Sequence, residues 1–361
     1  MNKMHNDMMP AEPGELKPTT TGIITEFALN WPGKECCSTH EIAIDEEHIF
    51  VSGQLMGQIA KLDYSGKILD HFIIPSNTKI HAGSWPHGLL LDKHNRLWVS
   101  LEKAGYVIRL NKNTGEIEQE IDVRLHAKGA RQPINVAPHG IGLDADGETI
   151  WFTGKRTSTL GKINPDGSVE HFQLDTLGAV PIFLSAGPDG GIWGTEVQGN
   201  HILHMSKSGV LSECQIPTPN SVPIGIIPDP VNRDCMWFTE QNGVKFAKIS
   251  LDAKIITEFD VPALQKTDVL GSLCFDRENN LWIEVYVSDT DTSGKGYDYL
   301  IKVDRSGLYP EAGRNTGLNF TIYPLPRRMS MLHRIKMDFQ GNMWFTEMMA
   351  DRIGKIDLMG R

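Results

Sequence analysis

A chain of 361 residues, 40% of them hydrophobic, can bury a large core, either in about two domains or in one repeat array. The net charge of −10 argues against nucleic acid or an anionic membrane as the main partner, and no run of about 18 apolar residues offers a membrane-spanning helix. Five scattered cysteines, and an N-terminus without the apolar centre of a secretory signal, suit a reducing cytoplasm, with Cys36 and Cys37 read as thiols.

Residues 1–21 are polar and carry Pro10, Pro13 and Pro18 before Thr19, Thr20 and Thr21, a composition with too little apolar surface to fold, so they read as a tail. From residue 22 to 361 one unit recurs. Its first strand ends on an aspartate, as at Asp45, Asp92, Asp144, Asp276 and Asp338. Its second strand centres on an aromatic residue, in turn Phe50, Trp98, Trp151, Trp193, Trp237, Trp282 and Trp344, so six of the eight tryptophans share one repeat position. A third strand follows, with Ile59–Asp63, Leu160–Asn164 and Ile353–Asp357 among its seven copies, and then usually a glycine turn. The fourth strand has only six copies after the third. The missing one stands at the other end of the chain, where Ile23-Ile24-Thr25-Glu26-Phe27 nearly duplicates Ile255-Ile256-Thr257-Glu258-Phe259. The expected fold is all-β: a seven-bladed β-propeller of four-stranded antiparallel blades, one domain closed by its own N-terminal strand. Such closure removes the free sheet edge that an open array would expose.

In a blade of this kind the first strand begins, and the second ends, on the same face of the disc. Loops on a rigid scaffold carry function, so this face is the expected ligand face. Its longer insertions are residues 77–85, 126–137 and 287–298, and the last, with Asp289, Asp291, Gly294, Tyr297 and Asp298, suits either a lid or a solvated acidic loop. The residue facing the central channel at the start of each blade reads His40, His87, His139, Ile182, Ile224, Gly271 and His333. Four imidazoles therefore gather on one side of the mouth and leave the other side apolar, which is how small-ligand pockets are commonly built. Such a cluster serves as general base and acid, or as metal ligands. Glutamates three residues after a tryptophan, at Glu196, Glu240 and Glu347, recur in so many blades that a scaffold role, bonding neighbouring backbone, suits them better than a catalytic one. Glu102 lies four after Trp98, so strand alternation turns it the opposite way and makes it the first candidate metal ligand. Glu347, near His333, is the second. A carboxylate with imidazoles suits Mg²⁺, or a softer divalent ion if several histidines bind.

The unit Pro138-His139-Gly140-Ile141, then Trp151-Phe152-Thr153, then Leu160-Gly161-Lys162-Ile163, resembles that of the virginiamycin B lyase (streptogramin lyase) family, over about residues 22–358. The resemblance implies a carbon–oxygen lyase that opens a cyclic depsipeptide antibiotic by elimination and so confers resistance to it, with Mg²⁺ as cofactor. It implies His87 as base, with His333 and His139 as the alternatives in other blades. It also implies Glu102 or Glu347 as metal ligand and His40 as a substrate contact. Trp85 stands where the family has a further carboxylate, and it joins Tyr297 as a candidate substrate contact. Blade three has Gly154-Lys155 where a glutamate would be needed. The expected substrate is a small or peptide-like molecule, with no nucleic acid or membrane partner, and the protein is expected to be a cytoplasmic monomer. The alternatives are a metal-dependent lactone or ester hydrolase or isomerase on the same face, and a non-catalytic propeller that binds peptide or protein.

Overall fold

The structure is a computed structural model that describes residues 19–21, 23–33, 39–74, 84–288, 296–310 and 317–358. Seven antiparallel sheets stand in sequence around one axis, each pairing first with second, second with third and third with fourth strand. Blade one runs from Thr39–Ile44 to Ile68–Ile73, blade two from Pro86–Leu91 to Ile117–Asp122 and blade three from Pro138–Leu143 to Val169–Gln173. Blade seven has Leu332–Met337, Met343–Glu347 and Arg352–Ile356, and its fourth strand is Ile24–Ala28, which pairs with Arg352–Ile356 in the register Ile24 to Ile356. The ring is a seven-bladed propeller shut by its leading segment. Thr19–Thr21, expected in the tail, instead form a short fifth strand against Ile24–Glu26. Among the described residues no helix is long and apolar enough to cross a membrane.

The recurring aspartate and tryptophan form one device. The indole N–H of Trp98 donates to Asp92 at 2.9 Å, Trp151 to Asp144 at 2.8 Å, Trp237 to Asp229 at 2.8 Å, Trp282 to Asp276 at 2.9 Å and Trp344 to Asp338 at 2.8 Å. The other carboxylate oxygen accepts backbone N–H groups of the turn, as at Asp276 from Glu278 and Asn280. Each large ring is buried between neighbouring sheets, and its single polar atom is satisfied by the turn that the same aspartate holds. Blade one has Phe50 in place of tryptophan, and its Asp45 takes Lys112 of blade two as partner.

A second repeated contact sets the mouth. In five blades the hydroxyl two residues after the aromatic residue donates to the channel-facing carbonyl of the next blade: Ser52 to His87 O at 2.9 Å, Ser100 to His139 O at 2.7 Å, Thr195 to Ile224 O at 2.8 Å, Thr239 to Gly271 O at 2.6 Å and Thr346 to His40 O at 2.7 Å. The same oxygens accept from within their own blade, as Ser100 Oγ does from Gly88 N. Three of the four mouth histidines thus have their backbone fixed by the preceding blade. Blade six departs from this pattern, with Glu284 in place of the hydroxyl residue; its carboxyl accepts from Ser272 N at 2.8 Å.

Candidate functional site

A cavity of about 360 Å³ opens at the ligand face and is lined by all seven channel-facing residues, from His40 to His333. The chain enters the inner strand through a residue in the left-handed region, two before the channel position: Trp85, Ala137, Val180, Val222 and Met331 have φ between 54° and 57°. For a β-branched residue this conformation is strained, and here it turns the next side chain but one inward. The carbonyl of that strained residue then accepts from the residue four after the aromatic, as in Glu102 N to Trp85 O at 2.9 Å and Met348 N to Met331 O at 3.0 Å. This second position forms an outer ring around the mouth: Gln54, Glu102, Lys155, Gln241, Tyr286 and Met348 all line the cavity.

The imidazoles meet as expected. The ring centroids of His40 lie 5.1 Å from His87 and 5.0 Å from His333, and His87 and His333 are 5.8 Å apart. His139 lies 3.6 Å from His87, with ring planes tilted by 35°, and its Nδ1 is 3.1 Å from Ile182 O. Burial, reinforced for His87 by His139 and His40 and for His139 by Lys155, holds both well below the usual histidine value, so both rings are neutral near pH 7. Burial lowers His333 as well, against the pull of Glu41.

Glu102 is at the mouth. One of its oxygens accepts from Gln54 Nε2 at 3.0 Å, and Lys155 Nζ lies 3.1 Å from the other. Trp85 lines the cavity with the Lys103 ammonium 5.3 Å from its ring. Two other candidates are not brought here. Glu347 is fully buried, outside the cavity lining, and strand alternation is the reason: three after Trp344 it points away from the mouth, while Met348, four after, points in. Burial and the charge of Glu26 push its carboxyl up to about 8, as burial does for Glu196 and Glu284. Tyr297 packs beside Tyr299 and donates its backbone N–H to Gln265, away from the cavity. Asp289, Asp291 and Gly294 of the expected lid, and Cys36 and Cys37, lie outside the described residues. Asp298 is a buried tie, accepting from Val287 N at 3.0 Å and Met331 N at 2.8 Å.

Sequence reasoning missed Lys155, Gln54 and the floor of the mouth. Lys155 and Gln54 occupy the repeat position that singled out Glu102, so the signal was present. The floor is an ion pair between Arg334 and Glu41, with Arg334 Nε 2.6 Å from Glu41 Oε2 and the guanidinium 4.0 Å from the Phe183 ring centroid. Glu41 Oε1 also lies 3.6 Å from His333 Nε2. Glu41 and Arg334 each follow a histidine in their strands, and only ring closure shows that they meet.

Two groups at the mouth bring together side chains with the donor atoms to hold a metal: His40, His87 and His333, and His87, Glu102 and His139. Among the described residues the cavity lining contains one carboxylate that faces it, Glu102, and both its oxygens are engaged. Mg²⁺ demands near-octahedral oxygen coordination, and this donor set does not fit it.

Fold and site together define a closed propeller with an imidazole cluster at one mouth. The chain is similar to the virginiamycin B lyase family, whose model matches residues 113–292. Virginiamycin B lyase of Nocardia farcinica is 27% identical over 124 residues, which is 34% of this chain and 38% of that protein. Selenomethionine-substituted virginiamycin B lyase from Staphylococcus aureus superposes with a TM-score of 0.73 at 24% identity, covering 93% of this chain and 99% of that one. A catalytically inactive histidine-to-alanine variant of the Staphylococcus aureus enzyme with quinupristin gives 0.72 at 25% identity, over 93% and 99%.

Proposed function

We propose that the mouth is the active site of a carbon–oxygen lyase acting on a small or cyclic peptide-like ester. The observation that carries this reading is the placement of four imidazoles on one wall of a cavity of about 360 Å³, facing Ile182 and Ile224 on the other. The apolar wall suits a hydrophobic depsipeptide ring, and the polar wall suits its ester. The kinship with virginiamycin B lyase supports elimination, and the quinupristin complex of that relative supplies a test substrate.

The base belongs to the stacked pair His87 and His139. Both are buried, and a neutral imidazole is a competent base at neutral pH. It takes the proton from the carbon next to a carbonyl, the C–O bond of the ester breaks, a C=C bond forms and the carboxylate leaves with the electron pair. Negative charge grows on the carbonyl oxygen, and Lys155 Nζ, the ammonium beside Glu102, is the cation placed to stabilise it. Glu102 and Gln54 hold that ammonium in place.

Incubation with quinupristin or virginiamycin B, followed by mass spectrometry, tests the reading. Elimination yields a linear product of unchanged mass. A product heavier by one water identifies a hydrolase, and no product from any cyclic depsipeptide leaves a binding propeller. His87→Ala and His139→Ala should each lose turnover with circular dichroism unchanged; full activity in both would refute the assignment of the base.

A further inference from the structure

The spacing of three mouth imidazoles matches that of ligands around a single ion. A metal–nitrogen bond of about 2.05 Å, plus about 1.1 Å from nitrogen to ring centre, puts a ligating centroid about 3.2 Å from the metal; in tetrahedral geometry two such centroids are then about 5.2 Å apart. The His40, His87 and His333 centroids are separated by 5.1, 5.0 and 5.8 Å. Their donor atoms lie within 4.8 Å of one another. The pair His87 and His139 fails the same comparison, since rings 3.6 Å apart and tilted by 35° cannot both aim a nitrogen at one ion from tetrahedral positions.

Two further features point to a ligand. His87 is 1% exposed, and its Nδ1 is buried without a hydrogen-bond partner, an arrangement that is costly unless something else satisfies the nitrogen. His333 turns Nε2 toward Glu41 at 3.6 Å, the carboxylate–histidine arrangement that orients metal-bound imidazoles, and this leaves its other nitrogen to bind. Glu41 is itself anchored by Arg334, and Glu102 by Lys155, so neither carboxylate competes for the ion.

We propose that His40, His87 and His333 form a three-imidazole site for a divalent transition-metal ion of the zinc type, in place of the Mg²⁺ implied by the family resemblance. Imidazole favours zinc, cobalt, nickel and copper over hard oxygen-seeking ions. Three histidines with the cavity on their open side also match catalytic rather than structural zinc geometry. The inference rests on reading the mouth as the functional site. It leaves His139, stacked behind a ligating His87, as the base.

The test uses the purified full chain, stripped with chelator and titrated with Co²⁺ alone. One equivalent should bind with the visible d–d absorption of a four- or five-coordinate ion. Zn²⁺ should displace it and millimolar Mg²⁺ should not. His40→Ala and His333→Ala should each weaken Co²⁺ binding by about a hundredfold or more, while His139→Ala keeps one bound ion. X-ray absorption on the Zn²⁺-loaded wild-type protein should count three imidazoles, a measurement that does not depend on any variant folding. Co²⁺ binding unaffected by His40→Ala, fewer than two imidazoles around zinc, or displacement by Mg²⁺ would each overturn the site. Failure of these binding tests together with elimination by the metal-free protein would sink the metal site and spare the lyase reading. A three-imidazole spectrum without turnover would do the reverse.

Discussion

Arg334→Met should be among the most damaging single changes near the mouth. Arg334 is 5% exposed and Glu41 7%, and the two meet through two hydrogen-bonded contacts, with Arg334 Nη1 also 3.4 Å from Ser272 Oγ. Removing one partner of a buried pair strands the other charge, at about 3–5 kcal/mol. Loss of the guanidinium over Phe183 adds up to about 2 kcal/mol where the contact is desolvated. Against a total stability of roughly 5–15 kcal/mol, that is a large fraction. The double variant Glu41→Gln with Arg334→Met leaves no isolated charge, so it should be more stable than the sum of the two single losses by at least about 1 kcal/mol. Acid sharpens the same test. Burial works against ionised Glu41, but Arg334 and His333 outweigh it and hold the carboxyl well below its ordinary value of 4.5. Its contribution is therefore present above pH 4.5 and is lost as pH falls through the lower folded value. Chemical denaturation of all four proteins at neutral pH, repeated at acidic pH, measures both effects. A single-variant loss under about 1 kcal/mol, or strict additivity in the cycle, would show that the floor is not held by this pair.

Two further outcomes follow from the repeats. Trp282→Phe should cost roughly 2–4 kcal/mol, from a lost hydrogen bond to a buried carboxylate and a smaller ring, since Asp276 would lose its indole partner at 2.9 Å; a melting temperature equal to wild type would remove the indole–aspartate bond from the account of why the residue recurs. Burial raises Glu196, Glu284 and Glu347 to about 8 from 4.5, so their contribution is whole below pH 4.5 and is lost as pH rises through about 8. Thermal stability should therefore decline between about pH 4.5 and 8, and Glu196→Gln should flatten that decline; an unchanged slope in the variant would count against a neutral buried carboxyl.

The propeller was legible because each blade repeats the same local necessity. Asp then Trp at fixed spacing recurs, and the stray strand at Ile24–Ala28 has one vacant partner, Arg352–Ile356, to pair with. Period-two alternation even separated Glu102 from the buried glutamates, and the same rule, applied to Glu347, would have kept it out of the mouth and brought Lys155 and Gln54 in. What lay beyond the sequence was which side chains meet across the closed ring. Glu41 and Arg334 are 293 residues apart in the chain, and nothing local in either strand specifies the other. The spacing among the mouth imidazoles likewise depends on the angle at which successive twisted sheets pack. Local chemistry determined strands, turns and blade number, because those contacts are repeated and short in range; the donor geometry of the site was decided only when the ring closed and fixed every blade relative to its neighbours.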